Sequence, residues 1–99
     1  MSALVRIRAK AERDLAEIFA HYEDQEPGVG LEFLRCFEAA LAGIQRQPVM
    51  HSVYLEDIRR ALIRRFPFGI YYVAEDNAVV VLSVIHLARG QQAIEAALE

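Results

Sequence analysis

Residues Ala78 to Leu87 carry apolar side chains at both odd and even positions, broken only by Ser83 and His86. A strand with one wet face alternates apolar and polar residues, whereas one that is apolar on both parities is covered above and below. The segment therefore predicts the central strand of a sheet. It is also far too short to cross a bilayer, which takes about 18 apolar residues. A chain of 99 residues has room for one such core, so residues 1–99 are expected to form a single domain.

The rest of the chain supplies partners for that strand. Ala3, Val5, Ile7 and Ala9 alternate with Ser2, Leu4, Arg6 and Arg8, the period of a half-buried N-terminal strand. The period then changes to helical: Ala11, Leu15, Ile18, Phe19 and Tyr22 share one stripe, with Glu12 and Asp14 placed to complement the dipole at its start. Pro27-Gly28 breaks this helix, and a second stripe runs through Phe33, Leu34, Phe37, Leu41 and Ile44 until Pro48. After a loop through Met50, His51 and Asp57 come strand signals at Ile58 to Phe66, Phe68 to Ala74 and Ala78 to Leu87, with Glu75-Asp76-Asn77 as a turn. The tail, with Ile94 and Leu98, can form one short helix. The expected architecture is α+β: an N-terminal strand, a helical hairpin, then a three-stranded antiparallel meander, all forming one sheet with the hairpin on one face.

Charge is distributed unevenly. From Glu12 to Glu38 there are eight acids against Arg13 and Arg35, while Ile58 to Ala74 holds Arg59, Arg60, Arg64 and Arg65 and no acid. Ten of the eleven bases are arginine, whose planar fork suits bidentate contact with carboxylate or phosphate. The net charge of −3 argues against general nucleic-acid binding, which needs several phosphates neutralised together. If Val5, Ile7, Ala61 and Ile63 face the helices, then Leu4, Arg6, Arg8, Arg60, Leu62 and Arg64 face away, and a one-residue slip would exchange Arg60 and Arg64 for Arg59 and Arg65. Greasy residues among arginines describe a surface made for a partner. With 55% apolar residues and a mean hydropathy of +0.16, disorder is excluded and a sticky surface is expected.

Familiar catalytic patterns are missing. Cys36 is the only cysteine and reads as helix packing, while His21, His51 and His86 are too dispersed to suggest a metal site. No glycine-rich phosphate loop or nucleophile elbow occurs, so no cofactor and no metal are expected. Glu12, Asp14 and Glu17 read as a solvated helix face, and Tyr71 and Tyr72 point to opposite faces of one strand. His86 reads as either an acid/base group or a hydrogen-bonded structural histidine. The N-terminus lacks the charged head and long apolar run of a signal peptide, which places the expected location in the cytoplasm, away from membranes.

Ala11 to Ile18, the Pro48 stop, Ile58-Arg59-Arg60, Phe66-Pro67-Phe68 with Ile70 and Tyr72, and Val84 to Arg89 together resemble the RelE/ParE superfamily. These are toxins of type II toxin–antitoxin modules, of the kind associated with plasmid stabilisation. The resemblance spans nearly the whole chain in order. It implies the fold reached above and a cognate antitoxin whose flexible segment wraps the toxin, with a homodimer or a toxin–antitoxin hetero-oligomer as the assembly. Target- or antitoxin-binding roles are expected for Arg6, Arg8, Arg59, Arg60, Arg64, Arg65 and Arg89. RelE-like members cut mRNA on the ribosome; here Arg60, Arg64, His86 and Arg89 would form that site. Two departures count against it: Gly69 stands where an arginine often follows the aromatic, and residues 91–99 contain no Tyr or His. ParE-like members act on DNA gyrase and need no nuclease centre, and the sequence leans to that branch. An inactive fold that only binds an antitoxin is the third possibility.

Overall fold

The computed structural model describes residues 3–99. Met1 and Ser2 lie outside the described residues, and with them the expected start of the first strand. The elements are β1 (Leu4–Ile7), α1 (Ala9–Gln25), α2 (Val29–Arg46), β2 (Val53–Leu55), β3 (Ile58–Leu62), β4 (Phe68–Glu75), β5 (Ala78–His86) and α3 (Gln91–Ala97). They build one five-stranded sheet in the order β1-β5-β4-β3-β2. As its composition requires, β5 is an interior strand, paired on one side by the edge strand β1 and on the other by β4, which holds the middle of the sheet.

Two expectations are corrected. The sheet is mixed, because β1 runs parallel to β5, and it has one strand more than expected after the hairpin. The direction follows from where α2 ends. The Ala3 amide donates to the Gln45 carbonyl at 3.2 Å and the Gln45 side chain donates to the Ala3 carbonyl at 3.0 Å, so the hairpin returns the chain to the end where β1 began. From there β3 runs as β1 does, and two antiparallel steps later β5 does so again. The added strand, β2, was hidden in a loop too short to show a period. The expected strand from Ile58 to Phe66 stops at Leu62, since Arg65 takes a positive φ of 72° in the turn before β4.

The helices close tightly on each other. Gly30 is buried, and a Cβ there would lie 2.8 Å from the Phe19 ring, so only glycine permits this approach of α1 to α2. The Glu23 carboxylate at the end of α1 accepts from the amides of Gly28 and Gly30, both at 3.1 Å, and so caps the N-terminus of α2. Between hairpin and sheet lies the main core, with Phe33, Phe37 and Ile44 packed against Ile70, Tyr72, Val79, Val81 and Val84. Tyr22, Phe33, Phe66 and Phe68 add edge-to-face ring contacts at one end.

On the other face, α3 covers a smaller cluster of Tyr71, Ile85 and Ile94. This answers the double-sided apolar pattern of β5: the hairpin lies on one side and α3 on part of the other.

One acid departs from its expected role. Asp14 is not a solvated helix residue, because its Oδ2 accepts from the Ser83 hydroxyl at 2.6 Å and the Val84 amide at 3.0 Å. β1 has left the edge of β5 by that point, and the strands carry a bulge that leaves Leu82 unpaired opposite Tyr71 and Tyr72. The carboxylate therefore replaces a missing strand. Lys10, the only lysine, donates to Ser83 Oγ at 2.9 Å and pairs with Asp14 at 3.3 Å.

Candidate functional site

The arginines that the sequence singles out fall into separate places. Arg59 shares the helix-facing side with Ala61 and Ile63; its guanidinium donates to the carbonyls of Val49 at 3.1 Å and His51 at 2.6 Å. That anchors the loop between α2 and β2. Beside it, the Tyr72 hydroxyl donates to the Pro48 carbonyl at 2.6 Å, and burial raises the Tyr72 pKa above the usual tyrosine range despite the opposing charge of Arg59. Arg65 reaches Glu32 of α2 at 3.3 Å in an exposed pair that adds little stability. Arg6 and Arg8 are exposed on β1 and at the start of α1, three strands from β3 and thus roughly 14 Å away across the sheet. Arg89 is exposed in the turn after β5. No single continuous cationic patch results.

Two features remain as candidate sites. The first is a groove of about 540 Å³ between α2 and β3, floored by Cys36, Ala40, Ala61 and Leu62 and rimmed by Arg35, Arg64 and Arg65. It runs along the open edge of the sheet. The Arg60 amide still donates to the Ser52 carbonyl at 3.1 Å, but among the described residues nothing pairs with the outer edge at Leu62, whose side chain is 58% exposed. An apolar floor, a basic rim and an unpaired strand edge suit an extended, acidic and apolar peptide segment.

The second lies on the opposite face of the sheet, beside α3. Arg60 is half-buried there, opposite Tyr71 in the β3–β4 register, with its guanidinium carbon 5.0 Å from the centre of the Tyr54 ring. The Tyr54 and Tyr71 rings meet edge to face at 5.2 Å. Burial raises the Tyr54 pKa, with the neighbouring Tyr71 and the Glu95 carboxylate adding to the rise and Arg60 opposing it. His86, at the end of β5, accepts the Ala88 amide on Nδ1 at 3.0 Å and packs edge to face on Phe68 at 5.0 Å. These contacts give His86 a structural place in the β5 turn. Sequence reasoning passed over Tyr54, although the run Val53-Tyr54-Leu55 between Ser52 and Glu56 is itself a strand signal.

Among solved structures, one from a chromosomal ParDE toxin–antitoxin system of P. aeruginosa is similar with a TM-score of 0.76 at 17% identity, covering 87% of this chain and 97% of that one. The family model for the ParE toxin of type II toxin–antitoxin systems (parDE) matches residues 5–90. The chain belongs to the ParE toxin family. The RelE fold is related: a chain of the RelBE2 toxin–antitoxin complex from Mycobacterium tuberculosis gives a TM-score of 0.61 at 23% identity, covering 87% of this chain and 99% of that one. A mutant of E. coli RelE in the free state gives 0.67 at 14% identity, covering 99% of this chain and 96% of that one. No curated protein matches in sequence. At these identities the structural likeness establishes the fold, and the family match establishes a ParE-family toxin. No helix among the described residues of this ParE-family chain is long and apolar enough to cross a membrane.

Proposed function

We propose that this ParE-family toxin arrests growth in the cytoplasm by poisoning DNA gyrase, and that a cognate antitoxin neutralises it by laying a flexible segment in the groove between α2 and β3. The observation that carries the gyrase reading is the character of the face around Arg60. A ribonuclease centre needs several cations around the phosphate and groups that exchange protons with the reacting oxygens. Here Arg60 is flanked by Leu62, Gly69, Tyr54 and the buried Tyr71, while Arg59 and Arg65 hold other parts of the fold. The His86 ring is tied into its own turn. Such a face is suited to gripping a protein.

The second reading, cleavage of mRNA on the ribosome through Arg60, Arg64, His86 and Arg89, draws support from the whole-length likeness to the RelE fold. Expression of the chain without its antitoxin separates the two. Gyrase poisoning predicts growth arrest with chromosomal double-strand breaks and intact transcripts; transcripts cut within codons, with unbroken chromosomes, would favour the ribosome.

A further inference from the structure

Arg60 is held in place without using its hydrogen-bonding groups. Its stem crosses Gly69 of β4, where an added Cβ would lie 3.1 Å from both Arg60 Cγ and Cδ, and 3.3 Å from the Tyr71 ring. A Cβ at residue 69 would crowd the arginine stem and the Tyr71 ring, so the stem would have to shift by a few tenths of an ångström. Above, the guanidinium rests over the Tyr54 ring at 5.0 Å. Yet among the described residues Arg60 donates no side-chain hydrogen bond and forms no ion pair, in contrast to Arg59 with its two carbonyls and Arg65 with Glu32. The nearby carboxylate, Glu95 of α3, acts on Tyr54 and does not pair with Arg60. A guanidinium fixed by a bare backbone and an aromatic ring has lost the side-chain freedom that binding would otherwise remove.

We infer that Gly69 and Tyr54 are positioning residues that present Arg60 as a preorganised subsite for a single carboxylate, an Asp or Glu side chain of a protein partner. The arginine fork fits carboxylate and phosphate alike, but the greater charge of a phosphate calls for a second cation, and among the described residues none sits beside Arg60: Arg59 and Arg65 are paired elsewhere, Arg64 rims the groove, and Arg6 and Arg8 lie three strands away. Gly69, an omission from the viewpoint of a ribonuclease site, is here what makes the site. The inference rests on the toxin reading above, and the carboxylate belongs to gyrase, because that reading places the antitoxin segment in the groove on the opposite, hairpin-facing side of the sheet.

The test uses the purified full chain and its variants in two arms: the concentration giving half-maximal gyrase-dependent DNA cleavage, and the dissociation constant for the co-encoded antitoxin. Arg60→Ala should weaken the gyrase arm by about 10- to 100-fold, the loss of a charge-assisted contact, and leave antitoxin binding within about twofold. Tyr54→Leu should weaken the same arm by roughly two- to fivefold, while Tyr54→Phe, which keeps the ring face, should restore it to within about twofold. Gly69→Ala should weaken it by roughly threefold or more, and the wild-type response should fall more steeply with salt than that of Arg60→Ala. A loss confined to the antitoxin arm would overturn the assignment of this subsite to gyrase. If wild type poisons gyrase and binds antitoxin but Gly69→Ala, Tyr54→Leu and Arg60→Ala match it in both arms, the subsite is refuted and the toxin reading stands. If gyrase is untouched by wild type while antitoxin still binds, the gyrase reading falls and this subsite falls with it. Wild type that engages neither protein overturns both. Should Gly69→Ala fail to fold, the Tyr54 pair decides alone.

Discussion

Replacing Asp14 by alanine removes the carboxylate that closes the edge of β5 where β1 departs. Two donors lose their acceptor: the Val84 amide, bonded at 3.0 Å, and the hydroxyl of Ser83, a fully buried residue. A buried donor left without a partner costs about 1–3 kcal/mol. Ser83 retains Lys10 as a neighbour, but that ammonium can only donate. The Lys10 pair, partly buried and one helical turn long, adds only about 0.2–0.5 kcal/mol. The expected loss is therefore about 3–4 kcal/mol, which for a domain of this size lowers the midpoint by roughly 12–30 °C. Urea unfolding followed by circular dichroism measures it. Ser83→Ala should cost about 1 kcal/mol, and the double variant less than the sum, because the hydroxyl stranded by Asp14→Ala is absent. Glu17→Ala, exposed on the same helix, should stay within about 0.5 kcal/mol. A loss below about 0.5 kcal/mol for Asp14→Ala would refute the reasoning and return this residue to the solvated face that its sequence context suggests.

Gly30→Ala should destabilise by about 1–3 kcal/mol through the clash with Phe19, read by thermal unfolding. Phe33→Ala should cost about 3–5 kcal/mol by emptying the centre of the aromatic cluster, with no change in gyrase cleavage per folded molecule. Tyr72 has a folded pKa raised by burial, so its neutral form stabilises the fold fully below the unfolded value near 10, and that contribution is lost as pH rises through the folded pKa. Tyr72→Phe should cost about 1 kcal/mol at neutral pH, from the bond to Pro48, and should flatten the fall in stability above about pH 10. An alkaline limb unchanged in that variant would remove Tyr72 as its source.

The parts of the fold legible in the sequence were those with strong periods. The stripe from Ala11 to Tyr22 and the two-sided apolar run at β5 located both the hairpin and an interior strand of the sheet. What escaped depended on contacts between distant residues. Three residues of β2 cannot display a period, and the parallel pairing of β1 is decided by where Gln45 meets Ala3. Asp14 has the spacing of a solvent-facing acid, and only the departure of β1 from β5 after Val81 shows why a carboxylate is needed there. The arginines were legible as residue types but not as a site. Arg59 and Arg60 are neighbours in sequence, yet strand alternation sends one inward to two carbonyls and the other onto the opposite face over Tyr54.

The most direct test of the toxin's target is made with four purified components: this chain, DNA gyrase, supercoiled plasmid and ATP. Linear plasmid accumulating in proportion to added chain, and suppressed when antitoxin is premixed, is the predicted result. Unbroken plasmid at a several-fold molar excess of folded chain, together with cut mRNA when the same preparation is added to a translating extract, would contradict it.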